Sequence, residues 1–443
     1  MPRRNQQPDR YCPAAFLWLP FPPSFFTRPV VKLSVCVITK NEERFIGQCL
    51  ASVAGLRPHE LIVVDSGSTD RTVAIAEASG AVVTPIVWRD DYAWARNVAI
   101  AQATGDWILF LDADEYWEGG AGLTALLART PARVGGFLLE RADVYLDPAS
   151  GKQISCPVGM VRLFRKNDAF RYNYRVHEQM NTSISTAGSR IEVLKSGRLV
   201  HQVFALSVAF IERKQIKYLR LLDEALAGVP ADEWLRYQRA KTLWFLRQPD
   251  LALRLFQELS AAATALRVIR CSAHCNAAIL LQEGGRTPEA IGELERSLRL
   301  NPSQSLAYLI LGDVHYQQRQ FGKAVRCYRR TKTSLNTLRF DDIIPGDLYL
   351  YPAERLYKLG CCLLAAGRPR LAQLLMRWGL RRQPTNINCL YGLALMALAR
   401  QNRAAARRYT SRCLALNPQW QRLRDLGIRV GLPVGEPAGL ALS

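Results

Sequence analysis

Residues 107–115 read WILFLDADE, a run of five apolar residues that leads into an acidic segment. A short apolar run bounded by polar residues is typical of a buried strand. Open α/β sheets bind ligands beyond the carboxyl ends of their strands, where Asp112 and Asp114 would lie. Two carboxylates two residues apart can hold a hard divalent cation, and that cation can hold a diphosphate. The stretch therefore predicts a site that handles a phosphorylated donor.

Short strands and helices alternate before this stretch. Residues 31–39 and 61–64 are rich in β-branched and other apolar residues and predict two strands, and residues 81–83 predict a third. Helices are expected over residues 72–78 and 93–103. The alternation predicts an α/β domain with a doubly wound, mostly parallel sheet of Rossmann-like type.

The loops that follow parallel strands share one edge of a sheet. We therefore expect Thr39, Asn41, Asp65 and the pair Asp112 and Asp114 to meet in one crevice. Asp65, at the end of a strand, can accept hydrogen bonds from a nucleobase or from ribose hydroxyls.

Neighbouring residues extend this crevice. Gly67 allows a tight turn, and Ser68 or Asp70 would cap the next helix. Arg96 and Asn97 could orient the diphosphate or the acidic pair, although a surface role fits Arg96 nearly as well. No glycine fingerprint of the dinucleotide-binding or P-loop kind occurs, which argues against dehydrogenases and kinases.

The charge of the chain is concentrated in its C-terminal half. At 443 residues two or three domains are expected. Of the net charge of +21, residues 201–443 supply 36 Lys and Arg against 18 Asp and Glu, whereas residues 1–200 supply 23 against 20. Such a region can face nucleic acid, an anionic membrane or an acidic acceptor, or be a solvated helical surface. We expect no nucleic-acid partner.

The cysteines and the N-terminus point to a cytoplasmic protein. The eleven cysteines show no paired CxxC spacing, and the cluster Cys271, His274 and Cys275 lacks a second ligand pair, so no zinc site is expected. Prolines interrupt the apolar residues 16–26, so residues 1–30 are interpreted as a disordered leader, with shallow membrane contact as the alternative. No apolar run is long enough to predict a spanning helix, which leaves a peripheral place at the inner face of the membrane open.

The second half of the chain repeats itself. Small residues recur twelve positions apart in the pairs Ala278/Ala290, Gly312/Ala324, Gly360/Ala372 and Ala394/Ala406, with a looser earlier pair Ala240/Ala252. Successive units start 34, 48 and 34 residues apart, and an insertion over residues 341–351 fits the excess. A 34-residue period with small residues at helix contacts is the tetratricopeptide (TPR) signature. It predicts an all-α solenoid with a concave binding face, against the alternative of unrelated helices that align by chance.

These patterns divide the chain into four segments. They are a leader over residues 1–30, an α/β catalytic domain over residues 31–205, a linker helix within residues 206–235 and a TPR-like domain over residues 236–443.

Three blocks of the α/β domain carry a specific resemblance. VCVITKNEE, ELIVVDSGSTDRT and YAWARNVAIAQATGDWILFLDADE resemble inverting family-2 glycosyltransferases of the GT-A fold in order and spacing. The resemblance covers about residues 31–205. It implies a nucleotide-sugar donor (a UDP-sugar above all), a divalent Mn²⁺ or Mg²⁺ ion, and transfer of a hexose with inversion at the anomeric carbon.

The same resemblance assigns roles to single residues. It implies that Asp65 reads the nucleobase with Thr39 and Asn41 beside it, that Asp112 lies near the ribose and the metal, and that Asp114 binds the metal. Ser66 stands where many relatives have a second Asp, which weakens the base contacts. The residues expected to bind the nucleotide-sugar are Thr39, Asn41, Glu42, Asp65, Arg96, Asn97 and Asp112.

Beyond the acidic segment, VGMVRLFRKNDAFRYNYRVHEQM and LVHQVF resemble a narrower subgroup. In GT-A enzymes a glycine-containing loop, an acidic base motif and a metal-binding His follow one another, an order met here by Gly159, His177-Glu178 and His201. Glu178 is therefore the candidate general base. A structural ion pair of Glu178 with Arg175 or Arg162 is the alternative.

The roles of the two histidines stay open at this point. His201 could join Asp112 and Asp114 on the metal, or could be a capping or core histidine. His177 could fill the metal-binding role, act as the base or position Glu178. If Glu178 is not the base, Glu140 and Asp143 are the next candidates.

A family-2 domain fused to TPR helices resembles bacterial peptide S-glycosyltransferases and lipopolysaccharide-type glucosyltransferases. The resemblance implies a peptide, protein, glycan or lipid-linked acceptor, chosen by the solenoid, and allows a homo-oligomer through the TPR domain. A catalytically inactive scaffold, in which the repeats carry the function, is the alternative. Retention of Asp65, Asp112, Asp114 and Glu178 argues against it.

Overall fold

The structure is a computed structural model that describes residues 31–120, 122–146, 153–202, 208–331, 352–416 and 421–432. The leader expected over residues 1–30 and the insertion expected over residues 341–351 lie outside these ranges. Contacts divide the chain into two units, residues 1–30 and residues 31–443, and the elements below belong to the second unit.

A mixed sheet fills the first part of the described chain. Its strands are β1 (Leu33–Thr39), β2 (Glu60–Asp65), β3 (Val82–Pro85), β4 (Trp107–Asp112), β5 (Glu115–Glu118), β6 (Val134–Leu146), β7 (Gln153–Arg165), β8 (Arg190–Val193) and β9 (Arg198–His201). The helices beside it are α1 (Ile46–Val53), α2 (Thr72–Ala78), α3 (Tyr92–Gln102), α4 (Leu123–Arg129) and α5 (Asn181–Thr186).

Strands lie in the order β3-β2-β1-β4-β7-β6-β9-β5, and β8 pairs with β6. The first four run parallel, which confirms the predicted α/β arrangement. From β4 onward the sheet becomes mixed, because β7 runs antiparallel to both β4 and β6 while β9 runs parallel to β6 and antiparallel to β5. Strands β7, β6, β9 and β5 therefore extend the sheet beyond β4, on the side away from β1.

Apolar side chains fill both faces of the parallel strands. Val35 and Leu109 belong to the core cluster on the α1 side, and Cys36 and Phe110 belong to the cluster on the α3 side. Successive residues of a strand point to opposite faces, so a strand buried on both sides reads as an uninterrupted apolar run. This is why WILFL could be recognised as a strand from its sequence.

Helices make up the rest of the described chain. They are α6 (Val208–Gly228), α7 (Glu233–Phe245), α8 (Pro249–Ala261), α9 (Arg267–Glu283), α10 (Thr287–Leu300), α11 (Ser305–Gln317), α12 (Phe321–Arg330), α13 (Pro352–Ala365), α14 (Pro369–Arg382), α15 (Ile387–Ala399), α16 (Arg403–Leu416) and α17 (Gln421–Arg429). Within the described ranges, none of them has the length and apolarity that crossing a bilayer requires.

From α7 onward the helices pack in consecutive pairs, and first helices of successive pairs also contact one another, as α7 and α9 or α13 and α15 do. This confirms the TPR-like solenoid. The small residues mark helix contacts as expected: Ala278 and Ala290 are fully buried. A Cβ placed on Gly312 would lie 2.4 Å from Cε1 of Tyr328, so the close approach of α11 to α12 requires glycine there.

Candidate functional site

Three parallel strands end side by side. In the register of the sheet Thr39 of β1 pairs with Asp65 of β2, and Ile38 of β1 pairs with Asp112 of β4. The loops that follow β1, β2 and β4 therefore open at one edge of the sheet, as the sequence predicted. This edge carries the candidate site.

The loops after β1 and β2 hold each other in place. One carboxylate oxygen of Asp65 accepts the backbone N–H groups of Gly67 at 3.0 Å and Ser68 at 2.9 Å. Asn41, at φ 54°, accepts the N–H of Thr69 at 2.8 Å and donates its own N–H to Oγ of Ser68 at 2.8 Å. Asp65 and Asn41 thus hold the loops after β1 and β2 in a fixed arrangement at the strand ends.

Two further residues near this loop pair have distinct surroundings. Thr39 is buried, and its Oγ1 has no hydrogen-bond partner among the described residues. Asp70 accepts the N–H of Thr72 at 3.0 Å, at the start of α2. Asp70 therefore serves the local fold, whereas the buried hydroxyl of Thr39 has no hydrogen-bond partner in the described part of the chain.

Asp112 is clamped by two buried arginines. Nη2 of Arg96 lies 2.7 Å from Oδ1 of Asp112, and Nη2 of Arg162 lies 2.9 Å from Oδ2. Burial favours the neutral acid, but the two guanidinium groups outweigh it and hold the pKa of Asp112 well below its usual range. The two arginines therefore favour the charged form of Asp112 and hold its carboxylate in place.

Arg96 also joins Asp112 to Glu178. Its Nε and Nη2 donate to Oε1 of Glu178 at 2.8 and 2.7 Å. The expected alternative partners are engaged elsewhere, Arg162 with Asp112 and Arg175 with Glu224. The structure thus supplies an ion pair for Glu178, through an arginine other than the two considered from the sequence. Glu178 lies in the same network as Asp112.

Asn97 points away from this network. Its side-chain amide donates to the carbonyl of Tyr172 at 2.9 Å and accepts the N–H of Tyr172 at 2.9 Å. The amide thereby fixes the segment that precedes Glu178. The predicted donor contact of Asn97 stays a prediction, and the bonds observed are those of a structural residue.

Asp114 is paired with His201. Nε2 of His201 lies 3.1 Å from Oδ2 of Asp114, and Nδ1 lies 3.1 Å from Oδ1 of Asp143. Arg141 holds Asp143 in turn, with Nε 2.7 Å from Oδ1. Burial disfavours the charged imidazole, yet the hydrogen bonds to the two carboxylates raise the pKa of His201 to about 9.

The segment DADE is fixed from within as well. The buried carboxylate of Glu115 accepts the backbone N–H of Asp112 at 2.9 Å, and Nη1 of Arg141 lies 3.3 Å from its other oxygen. Burial, with the nearby Asp112 charge, raises the pKa of Glu115. Glu115 therefore shapes the turn that presents Asp112 and Asp114 in different directions.

Glu42 adds a further carboxylate to the edge of the sheet. Burial, together with the charges of Asp114, Asp70 and Asp112, raises its pKa to about 7. Three neighbouring acids thus act on one half-buried side chain, which puts Glu42 at the acidic edge of the site.

Helix α6 borders the site through Lys214 and Tyr218. The Lys214 charge acts on both Glu42 and His177, and Nζ of Lys214 lies 5.6 Å from the centre of the Tyr218 ring. His177 packs edge-on against Tyr218, at 5.2 Å between ring centres, and burial lowers its pKa to about 4. Its carbonyl accepts the indole N–H of Trp234 at 3.1 Å. Lys214 belongs to the helix expected within residues 206–235, and nothing in its sequence context indicates that it reaches the site.

The geometry partly fits a divalent metal. Two ligand atoms at right angles on an octahedral ion, each about 2.1 Å from it, lie about 3 Å apart, and Oδ2 of Asp114 and Nε2 of His201 are 3.1 Å apart. Asp143 on Nδ1 is the carboxylate that commonly orients a metal-binding imidazole. Asp112, by contrast, has both oxygens on arginines. The described residues include no group of three or more potential ligands, so the donor would have to supply the rest.

Two family models match separate parts of the chain. Residues 34–195 match the model of glycosyl transferase family 2, and residues 275–334 match a tetratricopeptide repeat model. The chain thus combines a family-2 glycosyltransferase domain with TPR repeats.

Two relatives carry one of these features each in their names. A TPR repeat-containing protein of Synechococcus elongatus is 38% identical over 162 residues, which cover 36% of this chain and 38% of the relative. The SPbeta prophage-derived glycosyltransferase SunS of Bacillus subtilis is 32% identical over 205 residues, 45% of this chain and 46% of SunS. The matches therefore span less than half the length of these relatives. Among solved structures, the APC/C hetero-tetramer Cut9-Hcn1 has a TM-score of 0.41 at 15% identity and overlaps 49% of this chain and 40% of that one.

Proposed function

We propose that the protein is a metal-dependent, inverting glycosyltransferase that moves a hexose from a nucleotide-diphosphate sugar, a UDP-sugar, to a peptide, protein or cell-surface glycan. The observation that carries the proposal is the juxtaposition at the end of β4. Asp114 with His201 offers two metal ligands, and Arg96 ties Glu178 to Asp112 in the same network. A proposed metal site and a proposed base thus adjoin one acidic segment.

Donor binding in this proposal uses the preshaped loops after β1 and β2. Oδ2 of Asp65 accepts two backbone N–H groups of its own loop, and Oδ1 accepts the Ser68 hydroxyl, so Oδ1 retains one lone pair that could accept a bond from the nucleobase. The hydroxyl of Thr39, buried and without a partner among the described residues, would have to become exposed before it could bond to a nucleotide. Asp112, fixed by its arginines, is proposed to contact the ribose.

Asp114 and His201 would hold Mn²⁺ or Mg²⁺, with Asp112 close by. When bound, the ion neutralises the charge that develops on the leaving diphosphate. Asp143 would keep the proton of His201 on Nδ1, which leaves the Nε2 lone pair for the metal. Metal binding in this form requires neutral imidazole, so the ion would have to displace the proton that the two carboxylates now favour.

Glu178 is proposed to accept the proton of the acceptor nucleophile as it attacks the anomeric carbon. Arg96 bonds only to Oε1, so Oε2 is the oxygen for the acceptor. Arg96 would act as a positioning residue, because it fixes the distance between the base and Asp112.

The solenoid is proposed to select the acceptor or a partner protein. It begins directly after α6, and α7 is tied to the catalytic domain through Trp234 and the carbonyl of His177. A peptide bound by the repeats would therefore be bound by the part of the chain that contacts His177, the residue before Glu178. We place the protein in the cytoplasm, where nucleotide-sugars are available to it.

The proposal is tested by turnover of UDP-glucose and UDP-GlcNAc with Mn²⁺, in the wild type and in the variants Asp114→Ala and Glu178→Gln. We expect Asp114→Ala to lose turnover at least a hundredfold, on the order of the loss when one strong transition-state contact is removed. Glu178→Gln should keep donor binding and lose transfer.

Two results would contradict this function. Equal turnover in wild type and Asp114→Ala, or none with any donor, would leave a binding scaffold as the better account. Near-normal transfer by Glu178→Gln would move the base elsewhere. Asp143 lies behind His201 and Glu140 lies 3.6 Å from Arg198, so these are the remaining acids to test.

A further inference from the structure

Helix α14 presents an apolar stripe to solvent. Leu371, Leu374 and Trp378 are 47%, 62% and 48% exposed. Their spacing of three and four residues puts them on one face of the helix, opposite the buried Ala372, Met376 and Gly379. The second helix of a TPR pair normally buries its apolar side chains against neighbouring helices, so these three are not explained by the packing of the solenoid.

Positive charge surrounds this stripe. The second helices of the last three pairs, α12, α14 and α16, each carry four Lys or Arg residues and no Asp or Glu. The corresponding helix of the preceding pair, α10, has three Glu residues. The basic excess of the C-terminal half is thus strongest on these three second helices, although other helices, such as α17, are also basic.

The repeat register relates the two features. Counted from the buried alanine of each second helix, Leu374 corresponds to Arg326 of α12 and to Arg408 of α16, and both arginines are exposed. On α14 itself Arg382 lies over the ring of Trp378, at 5.8 Å. Leu374 of α14 therefore stands where the second helices of the neighbouring repeats each have an arginine. Trp378 has an arginine beside it on α14 itself.

We propose that α12, α14 and α16 form a docking surface for an anionic lipid membrane, with Leu371, Leu374 and Trp378 inserted among the headgroups. Leu and Trp on a helix flanked by arginines have the composition of interfacial membrane helices, in which the apolar side chains enter the headgroup region and the cations meet lipid phosphates. Each cation near an anionic surface adds to the attraction.

Charge favours this occupant over two others. A second copy docked through the same stripe would bring two sets of like charges together, since a two-fold contact pairs a patch with itself. Nucleic acid would satisfy the arginines but leave the apolar stripe in water. A lipid surface matches both the charge and the apolar side chains. The inference is independent of the transfer reaction, since it requires neither donor nor metal.

Co-sedimentation of the full chain with vesicles tests the surface. The vesicles contain phosphatidylcholine alone or phosphatidylcholine mixed with phosphatidylglycerol. We expect binding to the anionic vesicles only, weakened by salt. The triple variant Leu371→Ser/Leu374→Ser/Trp378→Ser should bind at least tenfold more weakly, and Arg377→Gln about fivefold more weakly, the factor that corresponds to about 1 kcal/mol per cation.

The matched control removes exposed apolar residues elsewhere on the solenoid. Phe245 and Leu266 are 49% and 64% exposed, and the variant Phe245→Ser/Leu266→Ser should bind vesicles as the wild type does. Circular dichroism confirms that each variant is folded. Three results would overturn the proposal: no binding of the wild type to anionic vesicles at low salt, equal binding by the triple variant, or a wild-type dimer that the triple variant abolishes.

Discussion

Arg96 offers the sharpest test of how the site is built. Its side chain is 3% exposed and lies within 2.8 Å of oxygens of both Asp112 and Glu178, which are 25% and 13% exposed. The variant Arg96→Met leaves Asp112 with Arg162 but leaves Glu178 without its cation. Breaking a buried ion pair from one side costs about 3–5 kcal/mol. Because one carboxylate keeps a partner, we expect the lower end, about 3 kcal/mol.

Native-state hydrogen exchange measures this cost locally. Peptides that cover β1 and β4 should exchange about a hundredfold faster in Arg96→Met than in the wild type, since each 1.4 kcal/mol corresponds to a factor of about ten. The double variant Arg96→Met/Glu178→Gln should recover part of the loss, because it removes the uncompensated charge. As a control, Arg239→Met breaks a pair with Asp223 whose side chains are 32% and 49% exposed, and it should cost less than about 1 kcal/mol. A loss below about 1 kcal/mol for Arg96→Met, or no recovery in the double variant, would refute this account of the network.

Two further predictions concern the repeats and the metal. Gly312→Ala should destabilise the solenoid by about 1–3 kcal/mol in urea unfolding, because its Cβ would meet the buried ring of Tyr328. Gly322→Ala has open space around the added atom and should not destabilise the solenoid. Equal stability of the two variants in urea would contradict the packing. Asp143→Asn should lower Mn²⁺ affinity about 10–100-fold by removing the carboxylate that orients His201, as measured by calorimetry with UDP present, and an unchanged affinity would remove His201 from the metal.

The sequence could predict the parts of the site that lie on consecutive strands. Asp65 and Asp112 follow apolar runs that are buried on both faces, and parallel strands joined by short helices must end at one edge. The TPR units could also be predicted from the sequence. Close helix contacts, such as that of Gly312 with Tyr328, require small residues, and small residues recur in the sequence at a fixed period. Local pattern and topology suffice for such features.

The clamp on Asp112 could not be predicted in the same way. Arg162 comes from β7, 50 residues later in the chain, and reaches Asp112 only because β7 pairs antiparallel with β4. The sole signal was an arginine inside the apolar run MVRLF. Lys214 and Tyr218 reach the site through the packing of α6, and neither their spacing nor their residue type indicates that contact. Long-range pairing decides these contacts.

We propose that Asp114 and His201 bind a metal that in turn holds the donor diphosphate. The most direct measurement is the affinity for UDP with Mn²⁺ and with EDTA, in the wild type and in Asp114→Asn. The account predicts that Mn²⁺ tightens UDP binding at least tenfold in the wild type, a coupling of about 1.4 kcal/mol or more, and leaves it unchanged in the variant. Equal tightening by Mn²⁺ in both proteins would contradict it.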